Sequence, residues 1–176
     1  MVAFPFRMGA GFAGDVNRTH PATIEPNVND TVNPLSFFGQ ATVYTTSSGK
    51  CRTLISSDTA LTAIAGIVVR QFPTQQATAS SNWGEADLST AYNTVLSPAN
   101  ALDVLKSGYI MVPVVGTPVK GGAVYVWVAA STGNHVQGGF EAAATGGSTI
   151  QLTGQNLTYF NSGPDAFGIC ELAFNI

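Results

Sequence analysis

The sequence predicts an all-β protein with a jelly-roll-like sandwich or barrel body, one short helix and an extended N-terminal arm. Three observations favour this fold class. Short runs of β-branched and aromatic residues are separated by Gly-rich turns along most of the chain. Hydroxyl side chains are abundant, with 13 Ser and 19 Thr, whereas charged residues make up only 10% against a typical value of about 25%. The first thirty-eight residues differ from the rest because no regular apolar period is sustained across them.

Residues 1–38 are predicted to be an extended arm, and residues 39–176 are predicted to be the body. Prolines fix their own φ angle and bias the preceding residue away from helix, and this segment contains Pro5, Pro21, Pro26 and Pro34. Apolar side chains are scattered through it without a pattern that buries them together. A segment of this kind is suited to lying across another surface and ordering there, so the arm predicts a role in assembly.

The body is predicted to contain strands separated by turns. Residues 40–46 and 50–55 flank Ser47, Ser48 and Gly49, which is the pattern of a hairpin. Both faces of 109–115 and 123–130 are apolar, which is typical of a strand that is covered on both sides. Cys170, Leu172 and Phe174 alternate with Glu171 and Ala173 at the end of the chain. The predicted strands are 40–46, 50–55, 63–72, 109–115, 123–130, 149–153 and 170–176.

One helix and one long loop complete the prediction for the body. Ser97 is a suitable helix cap, Pro98 suits the first helical position and Gly108 suits a helix end, so residues 97–108 predict a short helix. Residues 74–93 are rich in Gln, Ser, Thr and Ala and predict a loop that includes a contact surface. Trp83 lies in this loop and is either an exposed contact or a packed anchor.

Composition and motif spacing argue against several functional classes. The net charge is −3 and the seven basic residues are dispersed, so no nucleic-acid interface is expected. No apolar run reaches the ~18 residues of a membrane span, and the N-terminus lacks the pattern of a signal peptide. We therefore expect synthesis in a cytoplasm. Cys51 and Cys170 are too few for a disulfide framework and are predicted to be buried thiols.

The sequence also gives no reason to expect an enzyme, a metal or a cofactor. Gly9, Gly11 and Gly14 match the letters of a dinucleotide-binding loop, but they lack the strand before and the helix after that such a loop requires. The His and Cys residues lack the spacing of a zinc site. Glu85 and Asp87 are close in sequence but lie in a polar loop, without the cleft that a glycosidase needs.

Several blocks of the sequence together resemble the structural cement, or head decoration, proteins of tailed bacteriophages. The blocks are RMGAGFAGDVNRTHPATIEP, VVRQFPTQQ, SGYIMVP, KGGAVYVWV, HVQGGFEAAATGGST and the C-terminal GICELAFNI. The resemblance covers residues 7–176. It implies a jelly-roll-like virion protein on the capsid exterior that forms dimers or trimers and clamps neighbouring major capsid subunits.

On this interpretation the arm supplies contacts to the capsid or to another copy of the chain. The candidate contact residues are Phe4, Phe6, Arg7, Met8, Phe12, Arg18 and Trp83. The apolar members are expected to be anchors, and the two arginines are expected to pair with acidic capsid groups. A receptor- or carbohydrate-binding β module, such as part of a tail fibre, is the alternative, and it predicts exposed aromatic residues around Trp83.

Overall fold

The computed structural model describes residues 11–18, 21–70, 96 and 98–176, and the protein is built from β-strands with two short 3₁₀ helices. This confirms the predicted all-β class. The helices are Ser56–Ala60 and Gly146–Ser148. The strands are β1 (Thr23–Val28), β2 (Ala41–Tyr44), β3 (Cys51–Arg52), β4 (Gly66–Val69), β5 (Ala101–Val115), β6 (Tyr125–Trp127), β7 (Phe140–Glu141), β8 (Thr149–Gln151), β9 (Tyr159–Phe160) and β10 (Ile169–Phe174).

Strand β5 is the centre of the sheet, since every other strand of the described residues pairs with it directly or through a neighbouring strand. The strand order is β3-β2-β4-β5-β7-β6-β8, with β1 and β10 also paired to β5 and β9 paired to β10. The first half of β5 is antiparallel to β1 and β4. Its second half is antiparallel to β10, and its last two residues pair in parallel with β7. A mixed sheet of this kind is consistent with the predicted body, and its jelly-roll arrangement stays a prediction.

Gly108 separates the two halves of β5. Its φ of +141° lies in a region that residues with a side chain rarely adopt, and an added Cβ atom would lie 3.0 Å from the carbonyl oxygen of Pro21. Leu105 before it and Ile110 after it are both fully buried in the main hydrophobic core. The two halves of β5 therefore enclose the same core, which also includes Ile67 from β4 and Leu172 from β10.

The prediction of a helix over 97–108 is wrong, because most of this segment is the first half of β5. Leu102 and Val104 pack with Leu35 and Val68 in a second core cluster, whereas Leu105 faces the main core. Alternation between two buried faces is a strand pattern, and it is incompatible with the single apolar face of a short helix. Pairing with β1 and β4 on both sides overrides the local capping signal.

The predicted boundary between arm and body at residue 38 also differs from the structure. Strand β1 pairs with β5 along its length, and Leu35, Phe37 and Phe38 are buried. The side-chain amide of Asn29 donates to the carbonyl of Leu35 and accepts from its N–H, which holds this irregular stretch against the body. Residues 21–38 therefore belong to the folded body. Residues 1–10 lie outside the described residues, and an arm there stays a prediction.

The strands predicted over 63–72, 123–130 and 149–153 correspond to the shorter β4, β6 and β8, whereas the strand predicted over 109–115 is the second half of the longer β5. The hairpin is confirmed as β2 and β3, and the end of the chain is confirmed as a strand, β10, with all six residues buried. Strands β1, β7 and β9 were not predicted from the sequence. The loop predicted over 74–93, including Trp83, lies outside the described residues.

Candidate functional site: the N-terminal strap

Residues 11–18, which we call the strap, are fastened to the body by backbone hydrogen bonds. The N–H of Gly14 donates to the carbonyl of Met111 at 2.7 Å, and the N–H of Met111 donates to the carbonyl of Asp15 at 2.9 Å. The N–H of Arg70, just after β4, donates to the carbonyl of Gly14 at 2.8 Å. The strap thus joins the second half of β5 to the end of β4.

A glycine is required at position 14 for this arrangement. Its φ is +83°, and a Cβ atom there would lie 2.7 Å from the Cβ of Phe38 and 2.8 Å from the backbone nitrogen of Arg70. Both contacts are too short for any side chain, and one of them is with backbone that has no room to move. Gly14 therefore serves close packing of the strap against the body.

The C-terminal end of the strap is held by the carboxylate of Glu171 in β10. Arg18 donates to it through Nε at 3.0 Å and Nη2 at 2.8 Å, and its guanidinium carbon lies 4.0 Å from the ring centroid of Tyr109. The side-chain amides of Asn17 and Asn161 donate to the same carboxylate. A carboxylate with this many donors binds its partners more strongly than a neutral acceptor does.

The environment of Glu171 keeps it ionised although its side chain is only 10% exposed. Burial acts to raise the pKa of this carboxyl, but the hydrogen bonds from Asn161, Arg18 and Asn17 outweigh burial and lower the pKa below its ordinary value. The same interaction raises the pKa of Arg18. Arg18 and Glu171 therefore remain a charged pair at neutral pH.

Of the predicted site residues, Phe12 and Arg18 lie among the residues that the structure describes, and the others do not. Phe12 is 44% exposed, and the guanidinium of Arg70 lies 4.6 Å from its ring centroid. Arg18 was predicted to pair with an acidic group of the capsid, but the structure pairs it with Glu171. The other predicted site residues lie outside the described residues: Phe4, Phe6, Arg7, Met8 and Trp83.

Sequence reasoning did not identify Glu171, Asn161 or Tyr109 as part of this site. A signal for Glu171 was available, since it is the one charged residue within the apolar stretch Ile169–Phe174. A charged side chain inside a buried strand usually has a partner. The partner itself was not predictable, because Arg18 is 153 residues away in sequence.

An open cleft of about 410 Å³ lies between the strap and the neighbouring strands. Val16, Val69 and Met111 form part of its wall, and Ile24 of β1, which is 44% exposed, also lines it. Asp15 and Arg70 are the charged residues of the lining. Asn17 and Gly11 complete the lining, so the wall is mixed, with aliphatic side chains beside one acidic, one basic and one amide group.

A second polar cluster involves His135, which lies in the turn between β6 and β7. Its Nδ1 is 2.8 Å from the carboxylate of Glu141, whose side chain is only 4% exposed. The imidazole stacks on Trp127, with the ring centroids 4.3 Å apart and the planes 20° apart. The indole Nε1–H donates to the carbonyl of Ala130. These contacts fix the turn to the sheet.

The cysteines are buried and free, as the sequence predicts. Burial raises the pKa of the Cys170 thiol to about 12, and it also raises that of Cys51. Both thiols are therefore protonated and unreactive at neutral pH. Within the described ranges, no three His, Cys, Asp or Glu side chains are placed to hold a metal ion. The same part of the chain has no helix long and apolar enough to cross a membrane.

The fold and the strap define a β-sheet protein whose polar clusters fasten distant segments of the chain to one another. The chain matches the family model described as "Structural cement protein (E217 gp24/Pam3 gp6)" over residues 3–175. It therefore belongs to this family of phage structural cement proteins. This confirms the resemblance recognised in the sequence, and it gives the protein a structural role associated with the phage capsid.

Comparison with solved structures supports the fold. A chain from "The capsid of Myoviridae Phage XM1" is similar with a TM-score of 0.65 and 15% identity, covering 96% of this chain and 92% of that chain. At this identity the likeness concerns the fold alone. A search of the curated proteins found no match.

Proposed function

We propose that the protein binds the outer surface of the major capsid protein shell and bridges neighbouring capsomers. By doing so it stabilises the expanded head against the pressure of packaged DNA. On this proposal it is a virion component made in the host cytoplasm, it acts as a dimer or trimer, and it catalyses no reaction. Membership of the structural cement family supports the association with a capsid, and the bridging role is our inference.

The fastening of the strap is the observation that carries the proposal. Residues 1–10 lead directly into the strap. The strap itself is bound to β5, to the end of β4 and, through Arg18, to β10. A force applied to the N-terminal segment is therefore passed to several strands at once. A segment that contacts a neighbouring subunit needs such an attachment, because otherwise it would peel away from its own body under load.

The contacts that we assign to the capsid are the apolar and basic residues at the N-terminus. Phe4, Phe6, Met8 and Phe12 are proposed anchors, with Arg7 pairing to an acidic group. Arg18 contributes only through the half of its side chain that remains exposed beside Glu171. A specific interface needs about 800 Å² per partner. An oligomer of the protein gains further because its binding sites are linked, which raises the effective concentration of each one.

Deletion of residues 1–10 tests the proposal, because the strap and the ten strands of the described residues all lie outside the deleted segment. We expect the deletion variant to fold with an unchanged far-UV circular dichroism spectrum and to lose at least tenfold in affinity for purified capsid shells that lack the cement protein. Co-sedimentation gives the occupancy. Leu157→Ser is a matched control, since Leu157 is 69% exposed on a different loop and the change also removes apolar surface.

Occupancy by the deletion variant equal to that of the full chain would contradict the role of the N-terminal residues. Failure of the full chain to bind shells would contradict the proposed function as a whole. Bridging is tested separately by heating decorated and bare shells and measuring DNA release, and we expect decorated shells to release DNA at a higher temperature.

A further inference from the structure

We propose that the cleft beside the strap receives an acidic side chain of the capsid protein, and that the guanidinium of Arg70 binds its carboxylate. The inference rests on the proposed function, because it names the chemistry of one contact between this protein and the shell. It also adds to the proposed interface a residue of the folded body, beside the contacts assigned to the N-terminal segment.

Arg70 differs from the other arginines of the described residues because no carboxylate is bound to it. Arg18 pairs with Glu171, and Arg52 binds Asp58 through two hydrogen bonds of 2.7 and 2.9 Å. Within the same part of the chain, Arg70 forms no salt bridge and its guanidinium donates no hydrogen bond. An arginine carries five N–H donors in a planar fork that matches a carboxylate. These donors are therefore available to a carboxylate from another molecule.

The chain around Arg70 fixes where its side chain begins and where it ends. Its backbone N–H donates to the carbonyl of Gly14 at 2.8 Å, and the preceding residue, Val69, is buried in β4. The guanidinium carbon lies over the ring of Phe12, 4.6 Å from its centroid, in an arrangement that attracts the positive charge. Binding through a side chain that is already held costs less conformational entropy than binding through a free one.

The lining of the cleft suits a single carboxylate on an aliphatic stem. Val69 and Met111 offer aliphatic contacts to the stem, and the volume of about 410 Å³ accommodates one glutamate side chain. Asp15 also lines the cleft, where its carboxylate accepts from the N–H of Phe12 at 3.1 Å. Its negative charge disfavours further negative charges close by. The mixed lining therefore selects one carboxylate over a phosphate group or a cluster of acidic residues.

A second copy of the chain is the competing partner. Asp15 and Arg70 line the same cleft but do not lie within 4.0 Å of each other as an ion pair. In a two-fold contact, Asp15 of each copy would meet Arg70 of the other. That contact sets one concave surface against another and buries little area, whereas a projecting side chain of the capsid enters the cleft. The geometry thus favours the capsid protein.

Arg70→Gln tests the inference by co-sedimentation with purified capsid shells that lack the cement protein. The variant keeps the backbone N–H that binds Gly14, so we expect an unchanged unfolding midpoint. We expect its affinity for shells to fall about fivefold or more. Lys120→Gln is the matched control, because Lys120 is exposed in the loop after β5 and its loss changes the net charge equally. We expect it to lose less than about twofold.

Arg70→Lys separates the planar fork from the charge. Lysine keeps the positive charge but lacks the paired donors that match a carboxylate, so we expect it to recover only part of the affinity that Arg70→Gln loses. Full recovery by lysine would show that charge alone is used.

A titration without capsid tests the carboxylate site by itself. The probe is the α-amide of N-acetyl-glutamic acid, and N-acetyl-glutamine amide is its neutral counterpart. The arginine Nε–H resonance that disappears in Arg70→Gln identifies Arg70. We expect this resonance to shift in a saturable way with the acid. We expect the resonances of Arg18 and Arg52 to move little, because carboxylates already bind them.

The outcomes separate this inference from the proposed function. Equal affinities of Arg70→Gln and Lys120→Gln for shells would overturn the contact with the capsid. An Arg70 resonance that fails to saturate, that shifts equally with the neutral amide, or that shifts more with inorganic phosphate would overturn the carboxylate site. If sedimentation velocity shows an oligomer for the natural chain and a monomer for Arg70→Gln, the contact belongs to a second copy. Failure of the natural chain to bind shells would overturn the proposed function and the capsid contact together, and the titration would still decide the carboxylate site.

Discussion

Single polar residues hold distant parts of this chain together at the residue scale. Glu171 connects the strap to β10 and to Asn161, and Asn29 connects β1 to the buried segment around Leu35. Gln40 has a similar role, because its amide nitrogen donates to Thr53 and to the carbonyl of Gln137. Only 10% of the residues in this chain are charged, so a few buried polar side chains make the contacts between distant segments. Replacing any one of them is therefore expected to be costly.

Glu171→Gln tests the strap at this scale. We expect a loss of about 1–3 kcal/mol in the free energy of unfolding. The glutamine replaces one acceptor oxygen by an NH₂ group, which then faces N–H donors of the neighbouring side chains and cannot accept from them. The pKa of Glu171 is lowered in the folded protein, so its contribution is present at neutral pH and is lost as the pH falls through the folded-state pKa. Urea unfolding measures the free energy of unfolding between pH 3 and pH 7, roughly the titration range of carboxylates. This free energy should fall less steeply with decreasing pH in the variant than in the natural chain.

Glu25→Gln is the control for this change. Glu25 is an exposed glutamate of β1, and its substitution should leave the stability at neutral pH unchanged. Identical pH profiles for Glu171→Gln and the natural chain would show that the hydrogen bonds to Glu171 do not contribute to stability.

At the scale of elements, packing between β4 and β5 depends on the absence of a side chain at position 66. A Cβ atom on Gly66 would lie 2.3 Å from Cγ1 of Val104 and 2.5 Å from the carbonyl oxygen of Leu105. We expect Gly66→Ala to destabilise the protein by about 1–3 kcal/mol, because β4 must move away from β5. The midpoint of thermal unfolding measures this.

Gly147→Ala is the matched comparison, since no atom lies within 4 Å of the position a Cβ would take there. We expect its unfolding midpoint to stay within the error of the natural chain. If Gly66→Ala unfolded at the same temperature as Gly147→Ala, the close approach of β4 and β5 would be wrong.

The turn between β6 and β7 depends on His135. Replacing His135 by Ala removes both the stack on Trp127 and the partner of the buried Glu141 carboxylate. We expect a destabilisation of about 1–3 kcal/mol. We also expect a change in tryptophan fluorescence, because water reaches the face of the indole that the imidazole covers in the natural protein. His135→Gln retains a hydrogen-bond donor and should recover part of the stability but not the fluorescence. Unchanged emission in His135→Ala would contradict the stacking.

At the scale of the whole molecule, the two thiols report on the integrity of the core. Cys51 and Cys170 are both 0% exposed, and the pKa of Cys170 is about 12. We expect neither to react with a thiol reagent in the native protein at pH 8, and both to react within seconds in denaturant. The native reaction should proceed only at the rate of unfolding. Rapid labelling of one thiol in the native state would show that its part of the core opens independently.

Sequence patterns succeeded for elements whose residues are all close together in the chain. The β2–β3 hairpin was predictable because its turn and both strands lie within 40–55, and β10 was predictable because its alternation is regular. The first half of β5 was not, because Ser97, Pro98 and Gly108 carry a local helix signal that pairing with two strands overrides. Strands β7 and β9 have two residues each, too few to show a period.

The sequence by itself determined the all-β class, the burial of both cysteines and membership of the structural cement family, because each follows from composition or from the order of matched blocks. Only the tertiary structure decided that residues 21–38 belong to the body, that Arg18 pairs with Glu171 and that a cleft lies beside the strap. Those features arise from contacts between residues up to 153 positions apart. No local pattern encodes such a contact, since it depends on where the folded sheet brings the two segments.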